Sequence, residues 1–446
     1  MKKLLSCAVI VYACILLVAP VSVSAQEESD KITMEEVVVT ATRDKEEVRK
    51  IPANVSVITA KDIEESGATS IVEVLKNLAS INFRTFSGNP SQAYIDMRGF
   101  GGDSPFGKTL IMLDGRRLNR PDMASVNWLQ IPISNVERVE IVRGASSVLY
   151  GDCAVAGVIN IITKTGSGKP MPEASIIAGS YGMHDERIGV SGSEGRFTYA
   201  LNGENQQTSG YRDRSEFESK SAGINVGFEA NDYFALSCGL SFNRTDYEMP
   251  GALSKDQMEE NRKQALNPDD DASNNYINAD FRIESILGDL GRFDVALLYG
   301  KKRIDSNFTS WLTFAEWDID TLGITPKYVI EKDLFGHHDK LLVGCDYYDE
   351  GLDRNGFADR EKTTKTIAAE LEKKSLGFYL RNEFSILENL ILAAGYRTER
   401  SKISGNHTTL ATMTRDFDNE KLHKGEAFEG GLTCLIGEKS RVFAKY

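Results

Sequence analysis

Residues 234–243 read FALSCGLSFN. In an extended chain Phe234, Leu236, Cys238, Leu240 and Phe242 fall on one face, and Ala235, Ser237, Gly239, Ser241 and Asn243 on the other, because successive side chains of a strand point to opposite sides. The same strict alternation recurs at 197–202, 222–229 and 277–284. A soluble sandwich alternates too. Here the segments run to about ten residues, and their polar face is rich in glycine and charge, as in a barrel with an apolar face toward lipid and a polar lumen. The connections favour the barrel. Short ones near 192–196, 229–232, 287–291, 332–339, 386–389 and 437–440 alternate with long ones near 208–218, 246–275, 306–316, 350–374 and 402–423. The pattern yields thirteen strands, from Glu173 to the closing RVFAKY (441–446).

Composition narrows the classes further. The 446 residues carry a net charge of −13, with 41% hydrophobic and 26% charged residues and a mean hydropathy of −0.29. After the N-terminal segment no apolar run reaches the ~18 residues a spanning helix needs, which says nothing against strands. Met1–Ala25 has Lys2 and Lys3, an apolar core from Leu4 to Ala19 and a small-residue end at Val23-Ser24-Ala25, so it reads as a secretory signal peptide. Its removal takes Cys7 and Cys14. Cys153, Cys238, Cys345 and Cys434 are widely spaced, which predicts neither a disulfide framework nor a zinc site. An acidic exported chain is a poor nucleic-acid binder. The histidines are scattered, and no GxSxG, P-loop or HExxH pattern occurs, so neither an enzyme nor a cofactor is expected.

The stretch EEVVVTATR (35–43) places β-branched residues in a row between charges. It is either a strand donated to another protein's sheet edge or the first strand of the next domain. NVSVIT (54–59) is a short strand. Thr59-x-x-Asp62 caps a brief helix that Gly67 stops, and Ser70-x-x-Glu73 opens a second with Ile71, Val74, Leu75 and Leu78 on one face. Short strands follow at 93–100, 109–118, 136–144 and 157–164, so 52–164 reads as a compact α+β domain.

That segment resembles the plug domain of TonB-dependent outer-membrane receptors. The motifs that carry the resemblance are VSVITAKDIEESGATSIVEVLKNLASI (55–81), IDMRGFG (95–101), TLIMLDGRRL (109–118) and VERVEIVRGASSVLYGDCAVAGVINIITK (136–164). EEVVVTATR resembles the TonB box. Residues from 173 on resemble the barrel by pattern, with GFYLRNEFSIL (377–387) and LAAGYRTERSKIS (392–404). Ala145 and Ala156 stand where the family has Pro and Gly. The resemblance implies a mainly β chain: signal peptide 1–25, periplasmic leader 26–51 with the TonB box at 35–43, an α+β plug at 52–165, and at 172–446 about 13 strands of a 22-stranded antiparallel transmembrane β-barrel. Such a barrel cannot close on thirteen strands, and open edges in lipid cost several kcal/mol per unpaired group. A fragment or an interrupted frame is therefore expected.

The resemblance further implies energised uptake of a ferric siderophore across the outer membrane of a Gram-negative bacterium, with no resident cofactor. TonB and its inner-membrane energising complex would grip Glu36, Val37, Val38, Val39, Thr40 and Ala41. Alternatives are a cobalamin or haem receptor of the same family, or a non-functional truncated receptor. The chelate would meet plug apices offering Phe86, Phe100, Phe106 and Trp128 for stacking and Arg84, Arg117 and Arg120 for charge. Arg98, Arg143 and the lumenal Glu383 match residues that would ion-pair plug to barrel. Asp269, Asp270 and Asp271 offer oxygens of the kind Ca²⁺ takes, although a solvated acidic loop is the simpler reading.

Overall fold

The computed structural model describes residues 38–39, 42–85, 91, 93–100, 107–122, 126–410, 414–437 and 440–446, without the side chains of 38 and 414–417. β1 (Val38–Val39) pairs antiparallel with β2 (Glu46–Glu47). β3 (Asn54–Thr59) runs into a helix at Ala60–Ser66. Thr59 starts that helix as the sequence predicts: its hydroxyl accepts from the Asp62 N–H, and Asp62 accepts from the Thr59 N–H. Gly67 ends it in the left-handed conformation, φ 64°. Ser70 caps the second helix, Ile71–Ala79, which buries Ile71, Val74 and Leu75.

β4 (Asn82–Thr85) and β5 (Ala93–Asp96) form a hairpin-like pair. β6 (Thr109–Leu113), β7 (Arg116–Arg117), β8 (Val136–Arg143) and β9 (Gly157–Thr163) join β3 in a sheet of order β3-β8-β9-β6-β7, with β6 and β9 parallel. One sheet face, including Ile111, Val139, Ile141 and Ile159, packs on the two helices and on Trp128. Trp128 is 2% exposed; its Nε1–H donates to the Ala93 carbonyl at 2.9 Å, and its ring meets Phe83 edge-on at 5.4 Å. Gly157, at φ 151°, lies so close to β8 that a Cβ there would stand 2.2 Å from the Val142 carbonyl oxygen. The opposite face, with Leu110, Met112 and Val158, meets Val329, Leu342 and Tyr379 of the large sheet.

That large sheet holds thirteen strands, each antiparallel to the next in chain order. They are β10 (Met171–Ala178), β11 (His184–Glu194), β12 (Phe197–Thr208), β13 (Phe217–Asn231), β14 (Phe234–Glu248), β15 (Asp271–Ile286) and β16 (Arg292–Phe308). They continue with β17 (Thr313–Leu334), β18 (His337–Phe357), β19 (Lys365–Leu387), β20 (Leu390–Thr409), β21 (Thr414–Ile436) and β22 (Ser440–Lys445). Alternation sorts the faces. On β17, Leu322 and Ile324 are exposed outward, whereas Ile319 and Thr321 are buried inward. β10 and β22 stand at the two ends of the strand order.

Two expectations are corrected. The first strand is Met171–Ala178 rather than 173–182. Most connections expected to be long are not: 309–312 and 410–413 each separate strands of up to 23 residues. About 9–11 residues suffice to cross a bilayer. The extra length continues the ladder, and cross-strand pairing, with register shifts at Gly356/Phe357 and His407/Thr408, replaces most of the loops expected at 306–316, 350–374 and 402–423. Only 249–270 stays long, and it folds a short helix at Lys255–Glu260.

Trp128→Ala removes the largest buried side chain of the helix–sheet core and should cost about 3–5 kcal/mol. Limited proteolysis of the detergent-solubilised protein checks this: plug fragments should appear earlier than from wild type, while the barrel sheet stays resistant.

Candidate functional site

The segment just after β1 is fastened to the inner wall of the large sheet. Arg43 takes a left-handed backbone conformation, φ 64°, between β1 and β2. Its guanidinium forks onto Asp346 of β18, Nη1 to Oδ1 at 2.6 Å and Nη2 to Oδ2 at 2.9 Å, and Nη1 also donates to the Tyr379 hydroxyl at 3.0 Å. It lies between the rings of Tyr150 and Tyr379, 4.9 and 4.7 Å from their centroids. Asp346 is shared: Arg397 of β20 donates to its Oδ2 at 2.8 Å. The Arg43 carbonyl accepts from Lys327 Nζ at 2.6 Å.

A second fastening follows at once. Lys340 of β18 sits between Asp44, at 2.8 Å, and Glu46, at 2.5 Å, and Arg292 of β16 also pairs with Asp44. Burial pushes the Asp44 carboxyl up, but Lys340 and then Arg292 outweigh it and hold Asp44 below the ordinary carboxylate range. Glu46 goes the other way, raised by burial and by the neighbouring Glu383 carboxylate. Further on, Arg441 of β22 donates to the carbonyls of Val48, Ile51 and Ala53. Residues 42–53 are thus pinned at the end of the sheet that carries the short turns.

Higher up, the loop after β7 meets the wall. Arg120 donates to Thr321 Oγ1 at 2.9 Å, to the Gly300 carbonyl at 3.3 Å and to Asn278 at 3.4 Å. Gly300 makes room for it, since a Cβ there would stand 2.7 Å from Arg120 Nη2. Asp122 receives Lys302 of β16 at 2.8 Å. Arg117 pairs with Asp152 and the Tyr150 carbonyl and stacks on Tyr348 at 5.0 Å, while Lys373 of β19 bonds the same Asp152 at 2.7 Å. A crevice at the mid-level, lined by Asp114, Arg116 and Asp280, encloses about 20 Å³. That is space for a water molecule and far too little for a chelate.

The family model described as "TonB-dependent Receptor Plug Domain" matches residues 47–158. The vitamin B12 transporter BtuB of Vibrio vulnificus (strain CMCP6) is 31% identical over 229 residues, 51% of this chain and 36% of that protein. BtuB of Photobacterium profundum is 29% identical over 274 residues, 58% of this chain and 43% of that protein. The fold is similar to that of the unliganded ferric citrate transporter FecA, with TM-score 0.77 and 16% identity over 89% of this chain and 63% of that one. It is also similar to the ferric-catecholate import receptor Fiu of E. coli K12 in its open form, with TM-score 0.75 and 16% identity over 90% and 70% of the two chains.

Residues 47–158 thus match the plug-domain family of TonB-dependent receptors, and the chain as a whole has the fold of such receptors. It spans 36% to 43% of the length of the curated relatives just named. The proteins it resembles are outer-membrane receptors and transporters, and the outward apolar face of the large sheet suits lipid.

Several expected site residues of the receptor have other duties. Arg143 bonds Asn54, Ser56 and the Ala79 carbonyl, all within the plug, and Arg98 is exposed beside Gly144; neither reaches the wall. Glu383 pairs with Arg381 on its own strand, and Arg381 in turn with Glu429. The expected plug–barrel ion pairs are therefore corrected to Arg43–Asp346, Asp44–Lys340, Asp122–Lys302 and Asp152–Lys373. Trp128 belongs to the core and offers no stacking surface, Arg117 is committed to Asp152 and the Tyr150 carbonyl within the plug and stacks on Tyr348, and Arg120 is committed to the wall. Arg84 and Phe100 are exposed, while Phe86 and Phe106 lie outside the described residues. The acidic loop is no cation cage. Asp270 accepts from Ser310, Asp271 pairs with Arg360 and Asn307, and the Asp269 carbonyl takes Arg360 and Thr309. Among the described residues no cluster of metal-ligating groups occurs. Of the expected TonB-box residues, Val38 and Val39 form β1, whereas Glu36, Val37, Thr40 and Ala41 lie outside the described residues.

Asp346→Ala strands the buried Arg43 guanidinium, while Arg397 keeps Glu399, and should weaken the seat of residues 42–46 by about 3–5 kcal/mol. Arg43→Ala should cost less, because Asp346 keeps Arg397. Trypsin cleavage after Arg43 in Asp346→Ala and after Lys45 in both variants reports the difference. A second expectation concerns pH. Because the folded Asp44 value is depressed, its contribution is fully present above about pH 4, the unfolded carboxylate value, and is lost as pH falls through the lower folded value. Glu46, with a raised value, favours protonation on folding and opposes this loss. Hydrogen-exchange protection of the amides of residues 43–46, corrected for the intrinsic pH dependence of exchange, should therefore persist at mildly acidic pH and fail only below about pH 4.

Proposed function

We propose that the receptor takes up a ferric siderophore across the outer membrane, with TonB supplying the work by pairing with residues 36–41 and pulling. The outer membrane holds no ATP, so force must come from elsewhere, and an extended segment can be gripped through its main chain with little sequence demand. One observation carries this reading. The last residue of the box motif and those just after it, Arg43 to Glu46, are latched to the wall through ion pairs at the short-turn end. A pull on the box loads those bonds first. Buried pairs of this kind are firm when whole and costly when half broken, which suits a latch that must open as a unit.

The reading of the box itself, and of TonB as the partner, is our inference from the motif. A second reading has its own support: the relatives near 30% identity are vitamin B12 transporters, so the cargo of this receptor is cobalamin in that alternative. Uptake of radiolabelled iron chelates and of labelled cyanocobalamin, by cells lacking their other receptors, separates the two. Transcript levels that rise under iron starvation belong to the siderophore reading; equal levels with and without iron count against it.

Proline at Val38 or Val39 removes a ladder donor and fixes φ. Uptake should fall to background while surface binding of the same cargo persists. Normal uptake in either variant removes the box assignment.

A further inference from the structure

Most cations on the lumenal side of the wall are neutralised. Arg43, Arg117, Lys302, Lys340, Arg381 and Arg397 each hold a carboxylate. Among the described residues, Arg354 on β18 holds none. It lies on the same strand face as Asp346, Tyr348 and Glu350, the face that meets the plug. Its cross-strand partners are Trp317 and Ala369, and its neighbours along the strand on that face are Leu352 and Gly356. None of these bears a charge. The guanidinium stacks on the Trp317 indole, 5.0 Å from the ring centroid, and the Nε is buried with no acceptor among the described residues.

The height of this pair matters. One inward-facing row below it, Lys302 stands opposite Ile319 and receives Asp122 of the plug. Two residues of strand are about 7 Å. On β17 and β18, Arg354 and Trp317 therefore flank the space one row beyond the Asp122–Lys302 contact, at the end opposite the latched leader. Stacking on an indole fixes the plane of a guanidinium and strips part of its hydration, and leaves its N–H edge free for a bidentate acceptor.

We infer that Arg354, seated on Trp317, is a recognition site for a planar pair of anionic oxygens, carboxylate or catecholate, on the incoming chelate. This rests on the receptor reading above and selects an anionic chelate over a neutral one. Stacking holds the fork in place before the cargo arrives, so little side-chain freedom is lost on binding.

The test is equilibrium binding to the receptor isolated in detergent from outer membranes. The probes are ferric citrate, a ferric tris-catecholate, a neutral ferric tris-hydroxamate and cyanocobalamin. An anionic probe should bind, with carboxylate and catecholate arms telling which oxygens are read. Arg354→Ala should weaken it at least tenfold, Trp317→Leu about threefold to tenfold, and Arg354→Lys should restore only part, since an ammonium lacks the fork. Heat-modifiable gel mobility matching wild type shows that each variant is folded. Two results overturn the inference while leaving the receptor reading intact: Arg354→Ala and Trp317→Leu both binding the anionic probe within twofold of wild type, or wild type binding only the hydroxamate or cyanocobalamin. Failure of wild type to bind any of the four overturns both.

Discussion

A strand in hydrocarbon has no water to which its backbone can turn, so every N–H and C=O must find a neighbouring strand. The rest of this receptor follows from that constraint. Pairing strand to strand leaves the alternation of side chains as the only freedom, and the sequence uses it to put Leu322, Ile324 and Phe281 outward and Asp346, Glu350 and Arg397 inward. A lumen lined with such charges cannot stay dry and unpaired. The plug answers this by presenting complementary groups: Arg43 and Arg117 to carboxylates of wall or plug, Asp44 and Asp122 to wall lysines.

Two kinds of contact hold the plug, and they differ in how they yield. The apolar contact of Leu110, Met112 and Val158 with Val329 and Leu342 is non-directional and weakens gradually as surfaces slide. The ion pairs of the leader are directional, so a displacement of an ångström or two removes most of their worth. A force applied at the N-terminus therefore meets its sharpest resistance at residues 43–46 and a softer one deeper in.

Much of this was legible in the sequence. The helix starts at Thr59 and Ser70 carry their own caps, and period-two alternation over long segments marks all thirteen strands. The seat was not legible, because its partners lie far apart in the chain: Arg43 and Asp346 are separated by 303 residues. A signal did exist. Strand alternation carried through 337–357 and 390–409 places Asp346 and Arg397 on one face, and Arg43 and Asp44 stand at the end of the box motif; reading these together nominates the pair. Trp128 misled because an aromatic in an irregular stretch between two strands reads equally as ligand platform or core. Strand lengths misled because alternation persists above the lipid, where polar residues on both faces resemble loop sequence.

The sharing of Asp346 between Arg43 and Arg397 has a consequence for repeated use. In the uptake proposed above, Arg43 leaves for water and is hydrated there. The carboxylate it abandons is not stranded, since Arg397 still neutralises it. The wall thus keeps its docking point charged, oriented and ready, and only the departing half of the joint is remade. A fastening built this way resets by itself, with no memory of how often it has been opened.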